Sequence, residues 1–309
     1  MIINTGTKTD IPAFFSQWFY RRIEEGFVYV RNTYNPSLVK KYLLHPHSVD
    51  CLTFCTKNPA PMLPKLHQLE PFGQFWFVSI TPYGKEIEPY VPSVHDVIAS
   101  FQSLSKSLGS HKVIWRYDPI FINDVYTVEH HIKRFDAIAS SLAGYTHTCV
   151  ISFIDLYAKH ISSGLAISMV HKNERIQLAQ AFFKIAQKYD MSLKTCVEGK
   201  ELTLYGVDCS GCMTQSVIEK AIGQAMSIPK KSTSRKGCSC VLENDIGMYN
   251  SCLHGCVYCY ANTSLNAVRN NVKLHNPASP LLLGELLPTD TLQEVSQMSY
   301  KSRQARLFD

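Results

Sequence analysis

Val113-Ile114-Trp115-Arg116-Tyr117-Asp118-Pro119 is a short apolar run that turns polar at its end. It is followed by Val128, Ile132, Phe135, Ile138 and Leu142, and then by Cys149-Val150-Ile151-Ser152-Phe153. The middle set recurs at intervals of three and four, the spacing of one helix face. The flanking runs are too short for buried helices and are rich in β-branched and aromatic residues, so they read as buried strands. Strand, helix and strand in succession predict two parallel strands.

The same grammar extends in both directions. Apolar runs stand at Ile2-Ile3, Leu52-Thr53-Phe54, Phe75 to Ile80 and Leu193 to Cys196, with a weaker one at Leu202 to Tyr205. Helical spacing recurs in Val94, Val97, Ile98, Phe101 and Leu104, and in Ile176, Ala179, Phe182, Phe183 and Ala186. The expected class is α/β. Six or seven strands without a glycine-rich dinucleotide fingerprint favour a TIM-like (β/α) barrel over a Rossmann sheet. The expected organisation is a barrel over 1–227, an exposed basic linker over 228–237, and a Cys-rich segment over 238–309 packing on the barrel mouth.

The runs end in Thr7-Lys8-Thr9-Asp10, Thr56-Lys57-Asn58-Pro59, Thr81-Pro82-Tyr83, Arg116-Tyr117-Asp118-Pro119, Asp155 and Glu198. Parallel barrels place their active sites at C-terminal strand ends. Lys8, Asp10, Lys57, Arg116, Asp118, Asp155 and Glu198 are therefore the substrate-side candidates, with Lys57, Arg116, Asp118 and Glu198 the expected catalytic set. Arg116 and Asp118 lie two apart on a strand and share a face. His130-His131 reads as helix filler. No G-x-S-x-G, H-E-x-x-H or P-loop appears, which removes the commonest hydrolase, metalloprotease and nucleotide-binding readings.

With 309 residues and 45% hydrophobic content the chain can bury a full core. Its net charge of +6 is diffuse, too weak a signal for nucleic acid. No apolar run approaches the ~18 residues of a membrane span, and the first residues lack a secretory pattern. The chain reads as soluble and cytoplasmic.

Eleven cysteines, an odd number, are the informative count, and eight of them fall between Cys196 and Cys259. In a reducing compartment clustered thiols point to metal or redox chemistry rather than a disulfide scaffold. Cys252, Cys256 and Cys259 form C-x3-C-x2-C. Three thiolates on one short loop suit three irons of a [4Fe–4S] cube and leave the fourth iron open. Zinc would want a fourth ligand, and His254 is too close to Cys256 on the same tight loop to supply it easily. Cys209 and Cys212 form C-x2-C and Cys238 and Cys240 form C-x-C, which together could supply four thiolates to an auxiliary iron–sulfur or zinc site. Cys51, Cys55, Cys149 and Cys196 lie in or beside strand runs and read as core.

Cys252-Leu253-His254-Gly255-Cys256-Val257-Tyr258-Cys259-Tyr260-Ala261 resembles the cluster loop of radical S-adenosylmethionine enzymes, nearest the spore photoproduct lyase branch. Arg116-Tyr117-Asp118-Pro119-Ile120 is similar to a barrel-strand motif there. The whole chain resembles domain-of-unknown-function family 1848 through Thr9-Asp10-Ile11-Pro12-Ala13-Phe14, Val30-Arg31-Asn32, Thr56 to Leu63, Thr81-Pro82-Tyr83-Gly84 and the Cys-rich end. The resemblance implies a [4Fe–4S] cluster on Cys252, Cys256 and Cys259 that binds S-adenosylmethionine. One electron then splits that cofactor to methionine and a 5′-deoxyadenosyl radical that takes a substrate hydrogen. It also implies Tyr258 against the adenine, and an electron donor such as flavodoxin or ferredoxin. For the auxiliary site it implies Cys212, Cys238 and Cys240 as ligands, with Cys209 as a candidate fourth. Such loops normally follow the first barrel strand, whereas this one lies near the C-terminus, so a partial or circularly permuted barrel is expected. The rival reading is a binding or hydrolytic barrel stapled by zinc or iron–sulfur, without radical chemistry.

Overall fold

The computed structural model describes residues 1–155, 168–229, 238–241 and 244–302. In chain order the strands are β1 (Ile2–Asn4), β2 (Phe27–Arg31), β3 (Leu38–Leu43), β4 (Cys51–Thr56), β5 (Gly73–Ser79), β6 (Val113–Ile120), β7 (Thr148–Phe153), β8 (Ser192–Thr195) and β9 (Thr291–Glu294). The helices are α1 (Ile11–Phe14), α2 (Ser16–Glu25), α3 (Val94–Leu108), α4 (Val128–Leu142), α5 (Lys172–Lys188), α6 (Gln215–Ile222) and α7 (Leu265–Val272).

The six strong apolar runs form one parallel sheet in the order β1-β4-β5-β6-β7-β8. The order never reverses, unlike that of a doubly wound sheet. Among the described residues no pairing joins β8 back to β1, so no closed sheet is present. β2 and β3 form an antiparallel hairpin, and β9 joins β3 in parallel as a separate three-stranded sheet.

Alternation along each strand sorts the core into two faces. Leu52, Phe54, Trp76, Val78, Trp115, Tyr117, Cys149 and Ile151 pack with the apolar stripes of α3, α4 and α5. Phe135 of α4 stacks on Phe182 of α5 at 4.0 Å. The opposite face carries Cys51, Phe75, Phe77, Ile114 and Val150, and it packs with Cys212, Met213, Ile218, Ala221, Met226 and Cys240. The chain after β8 therefore covers the face that the three long helices leave bare.

Leu202 to Tyr205 is not a strand but the end of a 3-10 helix, Lys200–Tyr205. Leu202 and Tyr205 are three apart, the period of that helix. The turn closes with Thr203 Oγ1 donating to the Lys200 carbonyl at 2.7 Å and with Gly206 in the left-handed region at φ +85°. Of the expected linker, residues 230–237 lie outside the described residues. No helix among the described residues is long and apolar enough to cross a membrane.

Candidate functional site

The C-terminal ends of β1, β4 and β5 converge under the cysteine loop. Asp10 follows β1 and caps α1, accepting from the Ala13 N–H at 3.0 Å. Its other oxygen accepts from the Lys57 N–H, just past β4, and from His254 Nε2, both at 2.8 Å. Asp10 and His254 are both buried, and the imidazole meets the edge of Phe14 at 4.6 Å. His254 thus belongs to Asp10.

Beside it lies a second buried group. Lys57 Nζ stands 2.9 Å from Glu88 Oε1, and the Thr81 hydroxyl donates to the same oxygen at 2.7 Å. The Tyr258 hydroxyl also donates to Glu88, and the Lys57 ammonium lies 5.7 Å from the Tyr258 ring centre. Burial pulls the Lys57 ammonium down, but the Glu88 carboxylate and the Cys256 thiol push it up by more, so its pKa ends above the ordinary lysine value. A small cleft of about 80 Å³ borders Thr81 and Glu88.

The loop itself is tied down at several points. Residue 245 forms a parallel bridge with Asn4, and the Ile246 N–H donates to the Asn4 carbonyl at 3.0 Å. The Asp245 carboxylate accepts from the Thr7 N–H and from Asn4 Nδ2, both at 2.8 Å. Further on, the Tyr90 N–H donates to the His254 carbonyl at 3.1 Å and the Val257 N–H to the Ile87 carbonyl at 3.0 Å. Gly255 turns the chain between the first two thiols at φ +69°, where an added Cβ would lie 3.0 Å from Tyr90 Cδ2. Cys252 is buried, while Cys256 and Cys259 are half-buried. Burial raises the Cys252 and Cys256 thiols, and neighbouring thiols add to the rise in both; Lys57 works against it at Cys256.

The donor set at this loop is purely thiol, because His254 is engaged with Asp10 and Glu88 with Lys57, Thr81 and Tyr258. Among the described residues no three His, Cys, Asp or Glu side chains are grouped to hold one metal ion.

The remaining sequence candidates separate. Arg116 pairs with Asp118, which also accepts from Ser152 Oγ at 3.1 Å, and its guanidinium lies over Phe77 at 4.8 Å. Burial pulls the Arg116 pKa down, but Asp118 and nearby thiols raise it well above the usual value. Glu198 is elsewhere, accepting from the Phe153 N–H at 2.8 Å and pairing with Arg175 of α5 at 3.1 Å. Lys8 lies 5.9 Å from the Tyr249 ring centre, and Asp155 is exposed. Tyr258 is buried with Tyr83, Ile87, Phe121, Tyr126 and Ile154.

Three of the auxiliary thiols, Cys212, Cys238 and Cys240, come together. Cys212 Sγ is 3.3 Å from Cys240 Sγ, with Cys238 beside Cys240. Cys209 instead turns to the Val207 carbonyl, 3.7 Å away. Cys196, read from sequence as core, is half-buried and packs with Cys212 and Cys240 on the face opposite the long helices, because it follows β8 with the parity of that face. The neighbouring Cys212 thiol lowers Cys196 and draws Cys240 down to about 6. Sequence reading missed Glu88 and Thr81 as partners of Lys57. Glu88 lies in a segment without helical or strand period, and only its crowding with Lys85 and Glu86 marked it.

A parallel α/β sheet with a thiol-bearing loop across its first strand ends defines the class of protein. Residues 2–261 match the domain of unknown function DUF1848, and the chain belongs to that family. No curated protein matches it. Among solved structures it is similar to a provisionally named alpha-L-fucosidase from Bacteroides thetaiotaomicron VPI-5482, at 13% identity and a TM-score of 0.29. That match covers 53% of this chain and half the length of the other.

Proposed function

We propose that this protein is a radical S-adenosylmethionine enzyme built on a partial (β/α) barrel, with a [4Fe–4S] cluster held by Cys252, Cys256 and Cys259. The observation that carries the reading is the position of the three-thiol loop: it lies over the C-terminal ends of β1, β4 and β5. A strand order that advances without reversal supports the barrel part. When bound, the cluster and S-adenosylmethionine together supply one-electron cleavage of the sulfonium and a radical that removes a substrate hydrogen.

The chain's own contributions are orientation and charge. His254 and Asp10 fix the middle of the loop, so Cys252 and Cys256 keep their spacing. Lys57 offsets negative charge at Cys256. Its partner Glu88 holds the ammonium in place and is itself held by Thr81 and Tyr258. Arg116 and Asp118 on the bare face offer the polar substrate contacts of this reading.

The test is anaerobic reconstitution with iron and sulfide, followed by S-adenosylmethionine and a strong reductant, with 5′-deoxyadenosine measured by mass spectrometry. Multiple turnovers of 5′-deoxyadenosine, lost in Cys256→Ala, are expected. Reconstituted protein that forms none, or air-free protein carrying about one tightly held zinc on these thiols, would refute the reading.

A further inference from the structure

Cys196, Cys212, Cys238 and Cys240, outside the cysteine loop, gather on the sheet face opposite the long helices. Cys212 Sγ lies 3.3 Å from Cys240 Sγ, little more than 1 Å beyond a covalent S–S bond of about 2.05 Å. Cys196, just past β8, packs against the same cluster. The Cys240 N–H donates to Cys238 Sγ at 3.5 Å. Cys240 thus touches both Cys212 and Cys238.

We propose that Cys212 and Cys240 are a redox-active dithiol that closes to a disulfide, with Cys238 as the thiol through which a small-molecule disulfide enters. Burial assigns these roles, since Cys212 and Cys240 are buried and Cys238 is half-buried. The Cys238 thiolate attacks one sulfur of the oxidant, here glutathione disulfide, and releases one glutathione thiolate. Cys240 then attacks Cys238 Sγ and releases the second. Cys212 finally attacks Cys240 Sγ and returns Cys238 to the thiolate. The bridge between Cys238 and Cys240 spans a single residue and is strained, which favours the last transfer. In balance, two protein thiols are oxidised by two electrons, and their two protons leave on two glutathione thiols. Closure would join residues 238–241 to the turn before α6, across the sheet face that carries Arg116.

The experiment uses the full-length protein, reduced and kept free of air, then exposed to glutathione disulfide. Remaining thiols are alkylated and the peptides mapped by mass spectrometry. A Cys212–Cys240 cross-link is expected, with two of the eleven thiols lost to alkylation. Cys238→Ser should slow its formation at least tenfold and leave the end product unchanged. Full alkylation of Cys212 and Cys240 would overturn the proposal, as would a bridge at other positions. So would a zinc or iron ion that co-purifies and shields Cys212, Cys238 and Cys240 until it is chelated. An unchanged rate in Cys238→Ser would overturn the assigned entry point. None of these readouts depends on the cysteine loop or on S-adenosylmethionine.

Discussion

Glu88 accepts from three side chains at once: Lys57, Thr81 and Tyr258. Removing its charge leaves a buried ammonium without its counter-ion, a loss of about 3–5 kcal/mol for buried pairs. Glu88→Gln should lower unfolding free energy by that order in urea titration, and a change under about 1 kcal/mol would show that the pair is solvated. Because the Lys57 pKa is raised, its stabilisation is complete below the ordinary lysine value and is lost as pH climbs through the folded one. His131 gives the opposite limb. Its Nε2 donates to the Phe121 carbonyl and its Nδ1 accepts from the Tyr117 hydroxyl, both at 2.9 Å, so the neutral ring is fully used. Burial pulls its pKa down to about 4. Its contribution is therefore present above the unfolded value near 6.5 and is lost as pH falls toward 4, about 3 kcal/mol in all. NMR titration of the His131 ring checks this, and a midpoint near 6.5 would contradict it.

At the scale of elements, the runs that became sheet strands were legible because both of their faces are covered, which makes them continuously apolar. The three long helices were legible for the complementary reason, one buried stripe each. The hairpin of β2 and β3 was not, since Phe27–Arg31 and Leu38–Leu43 mix lysine and arginine with apolar residues on a half-exposed surface. The thiol cluster was half legible. Sequence spacing marked Cys209, Cys212, Cys238 and Cys240, and the family resemblance the last three; strand parity brings in Cys196, while Cys209 turns to the Val207 carbonyl. Likewise Lys57 and Asp10 could be read as strand-end residues, whereas their partners Glu88 and His254 are set by loop folding that no periodicity encodes. The packing of α4 on α5 rests on the Phe135–Phe182 stack, with Trp115 against Phe135 at 4.6 Å. Phe135→Ala should cost about 3–5 kcal/mol by calorimetry or denaturant. The Ser93 cap of α3 is exposed and accepts from the Asp96 N–H at 3.2 Å, so Ser93→Ala should cost only about 1 kcal/mol in the same assay.

For the molecule as a whole, the segment that leads into the cysteine loop returns to β1. Asp245 accepts from Asn4 and Thr7 across more than two hundred residues of sequence, and this junction carries the cysteine loop onto the strand ends. Asp245→Ala should loosen the loop without unfolding the sheet. Alkylation of buried Cys252 should then quicken at least tenfold while the circular dichroism spectrum holds; an unaltered rate would mean that the contacts to Ile87 and Tyr90 suffice.

The Asn4–Asp245 contact separates its partners by 241 positions. At ribosomal speeds of about 5–20 residues per second, β1 waits about 12–48 s for the segment that covers its outer edge. During that interval the nascent chain shows an uncapped parallel edge, a surface on which chaperones act. The cysteine loop, which follows Asp245 in sequence, consequently settles over β1 only after that interval.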